Sequence, residues 1–124
     1  MESKLLHAEV TEKIIGAAYA VYGGLGYGFL ESVSQKAMQV ELHQAGFKCE
    51  IECPIKVKYR NIIVGDFRAD LFVNDVVIVE LKTAKNYNPE DEPHLLNELK
   101  ATGIKVGLLI NFGRTKVEFQ RRVF

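Results

Sequence analysis

The run Val76-Val77-Ile78-Val79-Glu80-Leu81-Lys82 constrains the fold more than any other feature of this chain. It is apolar on both faces, as a central strand is, so the chain must supply cover for two sides of a sheet. An acid inside such a run needs a partner, because an unpaired buried carboxylate is strongly disfavoured even after relaxation. In an extended strand Glu80 and Lys82 leave the same face with Cα atoms about 7 Å apart, which makes them neighbours.

The cover comes from segments on either side. Val10, Ile14, Ile15, Ala18 and Val21 recur at three-and-four spacing, which predicts an amphipathic helix over 6–22, with Ser3 or Thr11 as its start and Gly23-Gly24 as its end. GGLGYG at 23–28 lacks the Lys-Ser or Lys-Thr of a phosphate-binding loop and has no strand before it, so it reads as a connector. A second helix is expected over 29–45, closed by Gly46. From Lys48 the texture alternates: KCEIECPIKVKYR, a turn at Asn61, IIVGDFRADLFV, a tight turn at Asn74-Asp75, and VVIVELK give three antiparallel strands. A polar loop with Pro89 and Pro93 leads to a helix stopped by Gly103, then a buried strand over 104–110, a turn at Asn111-Phe112-Gly113 and a last strand ending in RRVF. The expected fold class is α/β, an α+β mixed sheet with helices packed on it, in the order α-α-β-β-β-α-β-β.

At 124 residues with 48% hydrophobic content, one domain over 1–124 is the expectation. A chain of this length buries about 65% of its unfolded surface and needs no disulfide. Cys49 and Cys53 share one face of an extended strand, too far apart for an easy bridge, and read as small core residues. His7, His43 and His94 lack the grouping of a structural zinc site. Lys plus Arg equals Asp plus Glu at 16 each, so no global basic charge signals nucleic acid; a local basic patch is expected from Lys100, Lys105, Arg114, Lys116, Arg121 and Arg122. The N-terminal segment is broken by Glu9, Glu12 and Lys13, so neither a secretion signal nor a membrane span is expected, and the location expected is cytoplasmic.

On the strand before the Asn74-Asp75 turn, strict alternation gives Arg68, Asp70 and Phe72 one face and Ala69, Leu71 and Val73 the other. Register then decides whether Asp70 or Asp66 meets Glu80. Hard divalent cations such as Mg²⁺ choose carboxylate and carbonyl oxygens, and Asp70, Glu80 and the Leu81 carbonyl make that set, with Mn²⁺ as a substitute. Lys82 is suited to hold the attacking water and offset charge on a phosphate. An ordinary ion pair of Lys82 with either acid is the competing reading.

With Asp and then Glu-x-Lys on a hairpin, the chain resembles the PD-(D/E)XK nuclease superfamily and, more narrowly, the small GxxExxY proteins within it. The residues that carry the likeness are Gly28-Phe29-Leu30-Glu31, Phe67-Arg68-Ala69-Asp70-Leu71, Ile78-Val79-Glu80-Leu81-Lys82, and Leu99-Lys100-Ala101-Thr102-Gly103 followed by Gly107 through Gly113. The resemblance implies a restriction-endonuclease-like core, Asp70 and Glu80 as metal ligands, Lys82 serving the water, and Glu31 as a further acidic ligand. It implies a Mg²⁺-dependent endonuclease acting on DNA, with RNA as an alternative substrate, and a homodimer if both strands of a duplex are cut. The chain departs from the family pattern at Ser34, where the motif has tyrosine, and at His94 and Glu98, where relatives place glutamine and tyrosine. These departures bear on substrate positioning and give the alternative function: a catalytically impaired nucleic-acid-binding or protein-interaction module on the same fold. His94 itself reads as a surface histidine at a helix start.

Overall fold

The computed structural model describes residues 6–124. Helices α1 (Ala8–Leu25) and α2 (Glu31–Gln44) precede strands β1 (Cys49–Tyr59), β2 (Ile62–Val73) and β3 (Val77–Lys82); a 3₁₀ turn (Pro89–Asp91), α3 (Glu92–Thr102), β4 (Val106–Phe112) and β5 (Val117–Val123) follow. This is the order expected from the sequence. The five strands form one sheet in the order β1-β2-β3-β4-β5, antiparallel except for β3 and β4. α3 is the crossover that parallel pairing requires. β3 lies at the centre, with Val77 through Leu81 all buried.

The sheet is covered on both faces, as the two-sided apolarity of β3 requires. Ile14, Ala17, Ala18 and Val21 of α1 and Met38 and Leu42 of α2 pack with Val77, Val79 and Leu81 of β3 and with Leu108, Ile110 and Phe112. On the other side Leu95 and Leu99 of α3 pack with Ile55, Ala69, Ile78 and Leu109. Both leucines are fully buried, and each such side chain contributes about 1.5–3 kcal/mol relative to an exposed one. α3 can lie this close because residue 107 is glycine: a Cβ there would stand 2.8 Å from Leu95 Cδ1 and 3.1 Å from Leu95 Cγ. Gly103 ends α3 in the left-handed conformation, its N–H donating to Leu99 O.

Strand parity does not run unbroken along the first hairpin. On β1, Cys49 and Ile51 pack with the α1–α2 core, whereas Cys53 and Ile55 pack with the α3 core. Between them Glu52 has φ 54, which reverses the alternation. β2 crosses over beside it: Leu71 and Val73 join the first core, while Ala69 and Phe67 join the second together with Phe72. The expected common face for Cys49 and Cys53, and the grouping of Asp70 with Phe72 against Ala69, Leu71 and Val73, are therefore corrected. Alternation fails because a left-handed residue inside a strand turns the following side chains to the other face.

Other boundaries shift modestly. α1 runs through Gly23 and Gly24 to Leu25, and Gly26 (φ 72) ends it; Tyr22 in the last turns donates its hydroxyl to Gly113 O at 2.6 Å. Thr11 lies within α1, its hydroxyl donating to Ala8 O, and the other expected start, Ser3, lies outside the described residues. The turns at Arg60-Asn61 and Asn74-Asp75 each have two consecutive residues with positive φ, the backbone of tight hairpin connections. Asn111 and Phe112 complete β4 instead of forming a turn. The Asn111 side chain accepts from Ala84 N and donates to Ala84 O, both at 2.9 Å, and so fixes the chain as it leaves β3.

Candidate metal centre

β2 and β3 pair from Val73 opposite Val77 to Leu71 opposite Val79. Past that point side chains replace the backbone ladder. The Leu81 amide donates to Asp70 Oδ2 at 2.7 Å, and the Asp70 amide donates to Glu80 Oε2 at 3.3 Å. Each acid thus satisfies a backbone donor on or beside the opposite strand, and the two carboxyl groups converge where the strands part. Gln35 of α2 supports this corner, its Nε2 donating to Asp70 O at 2.9 Å and to Glu52 Oε2 at 2.8 Å. The strained backbone at Glu52 therefore lies against the same corner, as strain often does at functional sites.

Ile78 on β3 packs with the α3 core while Val77, Val79 and Leu81 face the other, so alternation turns Glu80 and Lys82 toward α3. Lys82 is half-buried. Among the described residues it makes no hydrogen bond or ion pair, and its charge acts through space on Asp70 and Glu31. Glu31 occupies the first turn of α2. Asp70 lies near enough to raise the Glu31 pKa, after the larger effect of partial burial. Asp66 belongs elsewhere: it pairs with Lys56 at 2.7 Å on the exposed arm of the first hairpin. Of Leu81, it is the amide that the fold visibly uses, in holding Asp70.

α3 brings two further groups that sequence reasoning set aside. One ligand atom from each of Glu80, His94 and Glu98 lies within 4.8 Å of the others. His94 Nε2 stands 3.2 Å from Glu98 Oε2, and the ring of Phe67 packs against the imidazole with centroids 5.7 Å apart. Glu98 is fully buried, and neither of its oxygens receives a hydrogen bond of good geometry. The signal available in the sequence was the i,i+4 spacing of His94 and Glu98 on a helix that must cross the acidic strand.

Electrostatics mark the place as one where burial outweighs the nearby charge of Lys82. Burial, the Glu98 carboxyl and Asp70 push the Glu80 pKa up to about 10. Burial also raises Asp70, against the opposing pull of the Leu81 amide, and raises Glu98. Several carboxyl groups resisting ionisation in one corner suit a bound divalent cation, whose charge restores their ionised forms.

The family model of the PD-(D/E)XK nuclease superfamily matches residues 8–123. No curated protein matches the chain. Among solved structures, one titled "Crystal structure of SSO0001" aligns with 98% of this chain at a TM-score of 0.55 and 14% identity. The chain corresponds to 62% of the length of that one, and at this identity the likeness speaks to the fold. With the family model spanning nearly every residue, the chain belongs to the PD-(D/E)XK nuclease superfamily.

Proposed function

We propose that this chain hydrolyses phosphodiester bonds in nucleic acid, DNA first, with Mg²⁺ or Mn²⁺ as cofactor. The observation that carries the reading is the convergence of Asp70 and Glu80 at the parting of β2 and β3, with Lys82 next along the same face of β3. Asp70 and Glu80 would hold the cation, with the Leu81 carbonyl and Glu31 completing its oxygen set. A bound divalent cation lowers the pKa of its water and stabilises the departing oxygen. The ammonium of Lys82 orients the nucleophilic water and offsets charge on the phosphate. The apolar cluster of Ile78, Leu95 and Leu99 on the same side of the sheet strengthens these charge interactions.

DNA reaches such a corner through its backbone phosphates, and the exposed Arg114 and Lys116, in the turn that follows β4, are available to contact them. Arg122 is committed to an ion pair with Glu92 at 2.6 Å. Among the described residues no helix is long and apolar enough to cross a membrane. We further propose that the chain acts as one domain, in the cytoplasm, and as a homodimer when both strands are cut.

The alternative, a binding module with impaired turnover, draws support from the departures at Ser34 and His94 and from the zero net charge. Purified protein with Mg²⁺ or Mn²⁺ and plasmid, single-stranded DNA and RNA substrates separates the two. Cleavage lost in Asp70→Asn and Lys82→Ala supports the nuclease. Metal-dependent thermal stabilisation without cleavage of any substrate supports the module.

A further inference from the structure

His94 and Glu98 occupy the same face of α3 one turn apart, and Glu80 meets them from β3. This set differs from the Asp70 corner in one chemical respect: it includes an imidazole nitrogen. Oxygen-only sites suit Mg²⁺, whereas imidazole with carboxylates suits first-row transition ions. A second, independent observation points to a ligand. Glu98 is fully buried with neither oxygen in a well-directed hydrogen bond, and its carboxyl is aimed at Glu80 and His94.

The surroundings are built for holding an ion. Glu98 is fixed by α3, which the absence of a side chain at Gly107 lets lie close to the sheet. Glu80 is fixed by the Asp70 amide. His94 is half-exposed at the mouth, with Phe67 against its ring, so an ion can enter past it. Three protein donors with one open side are the usual complement of a site that keeps a position for water or substrate.

We propose that Glu80, His94 and Glu98 bind a divalent transition-metal ion such as Zn²⁺, Co²⁺ or Mn²⁺, with His94 Nε2 as the nitrogen donor. The site goes beyond the oxygen set of Asp70, Glu80, Leu81 and Glu31 and does not depend on phosphodiester hydrolysis. Glu80 is common to both sets. Occupancy at α3 therefore bears on the metal preference of the whole centre, shifting it from Mg²⁺ toward ions that accept nitrogen.

The test is to titrate Zn²⁺ into the full chain at pH 7 and follow the imidazole resonances of His7, His43 and His94 by NMR, with isothermal calorimetry for affinity. The expected result is a saturable shift of His94 with the other two unmoved, and binding weakened about tenfold or more in His94→Ala and in Glu98→Gln. Asp70→Asn is expected to retain the His94 shift. The NMR readout on the unaltered chain needs no variant to fold. An unmoved His94, or affinity unchanged from the parent chain in both α3 variants, overturns the site even if Mg²⁺-dependent cleavage is observed; a saturable His94 shift supports it whether or not nucleic acid is cut.

Discussion

The amide of Asp70 donates to Glu80 Oε2 at 3.3 Å, so the backbone of one acid holds the carboxyl of the other where their strands part. With Leu81 N donating to Asp70 Oδ2, the pair is tied into the sheet before any cation is considered. Asp70→Asn keeps an acceptor for the Leu81 amide and removes a charge that opposes ionisation of Glu80. We expect it to leave the metal-free protein as stable as the parent or more so, and to diminish stabilisation by Mg²⁺. Asp70→Ala orphans the amide, a loss of about 1–3 kcal/mol. Thermal unfolding with chelator and with Mg²⁺ checks both.

The raised carboxyl pKa values set a pH dependence. Glu80, Asp70 and Glu98 each hold a proton more tightly in the folded chain than in the unfolded one. The stability they contribute is fully present below the ordinary carboxylate range and is lost as pH rises toward the folded value, about 10 for Glu80. Each retained proton gives a slope of at most about 1.4 kcal/mol per pH unit. Denaturant unfolding with chelator from pH 5 to 9, values spanning roughly that window, should show falling stability. Glu80→Gln should flatten the fall, and stabilisation by Mg²⁺ should grow with pH because binding displaces protons.

Gly107 sets how closely α3 approaches the sheet. Gly107→Ala places a Cβ 2.8 Å from Leu95, and such overpacking costs about 1–3 kcal/mol. The displacement should also separate His94 and Glu98 from Glu80. A lower melting temperature together with weaker Zn²⁺ binding is the expected pair of results; unchanged values for both would mean that α3 has slack at this contact.

Asn111 closes two hydrogen bonds on Ala84. Asn111→Ala leaves both backbone groups of Ala84 without this partner, and we expect a loss of about 1–3 kcal/mol. Because the effect is local to the segment leaving β3, hydrogen exchange should quicken first at Ala84, ahead of the central amides of β3.

Legibility followed how local each determinant was. Two-sided apolarity in VVIVEL announced a central covered strand, and β3 is central with both faces covered. Two-residue turns at Asn74-Asp75 and Asn61 were readable because few residues tolerate positive φ there. Glu80 and Lys82 were readable as neighbours, since β3 keeps its alternation. The closeness of Asp70 to Glu80 was expected for an incomplete reason: strict parity on β2 fails beside Glu52, whose left-handed backbone carries no signature in a glutamate. His94 and Glu98 were passed over because their meeting with Glu80 depends on the crossing of α3 over the sheet, which Gly107 permits and no linear spacing displays.

Lys82 offers the most direct trial of the proposed hydrolysis, since its side chain has no hydrogen bond or ion pair to lose among the described residues. The measurement is the rate of plasmid cleavage in Mg²⁺ by the parent chain and by Lys82→Ala, purified identically. We predict cleavage that requires the metal and falls by about a hundredfold or more in the variant, while Mg²⁺ still raises the melting temperature of both. Equal rates in the two proteins, or no cleavage by the parent chain of plasmid, single-stranded DNA or RNA, would contradict the assignment.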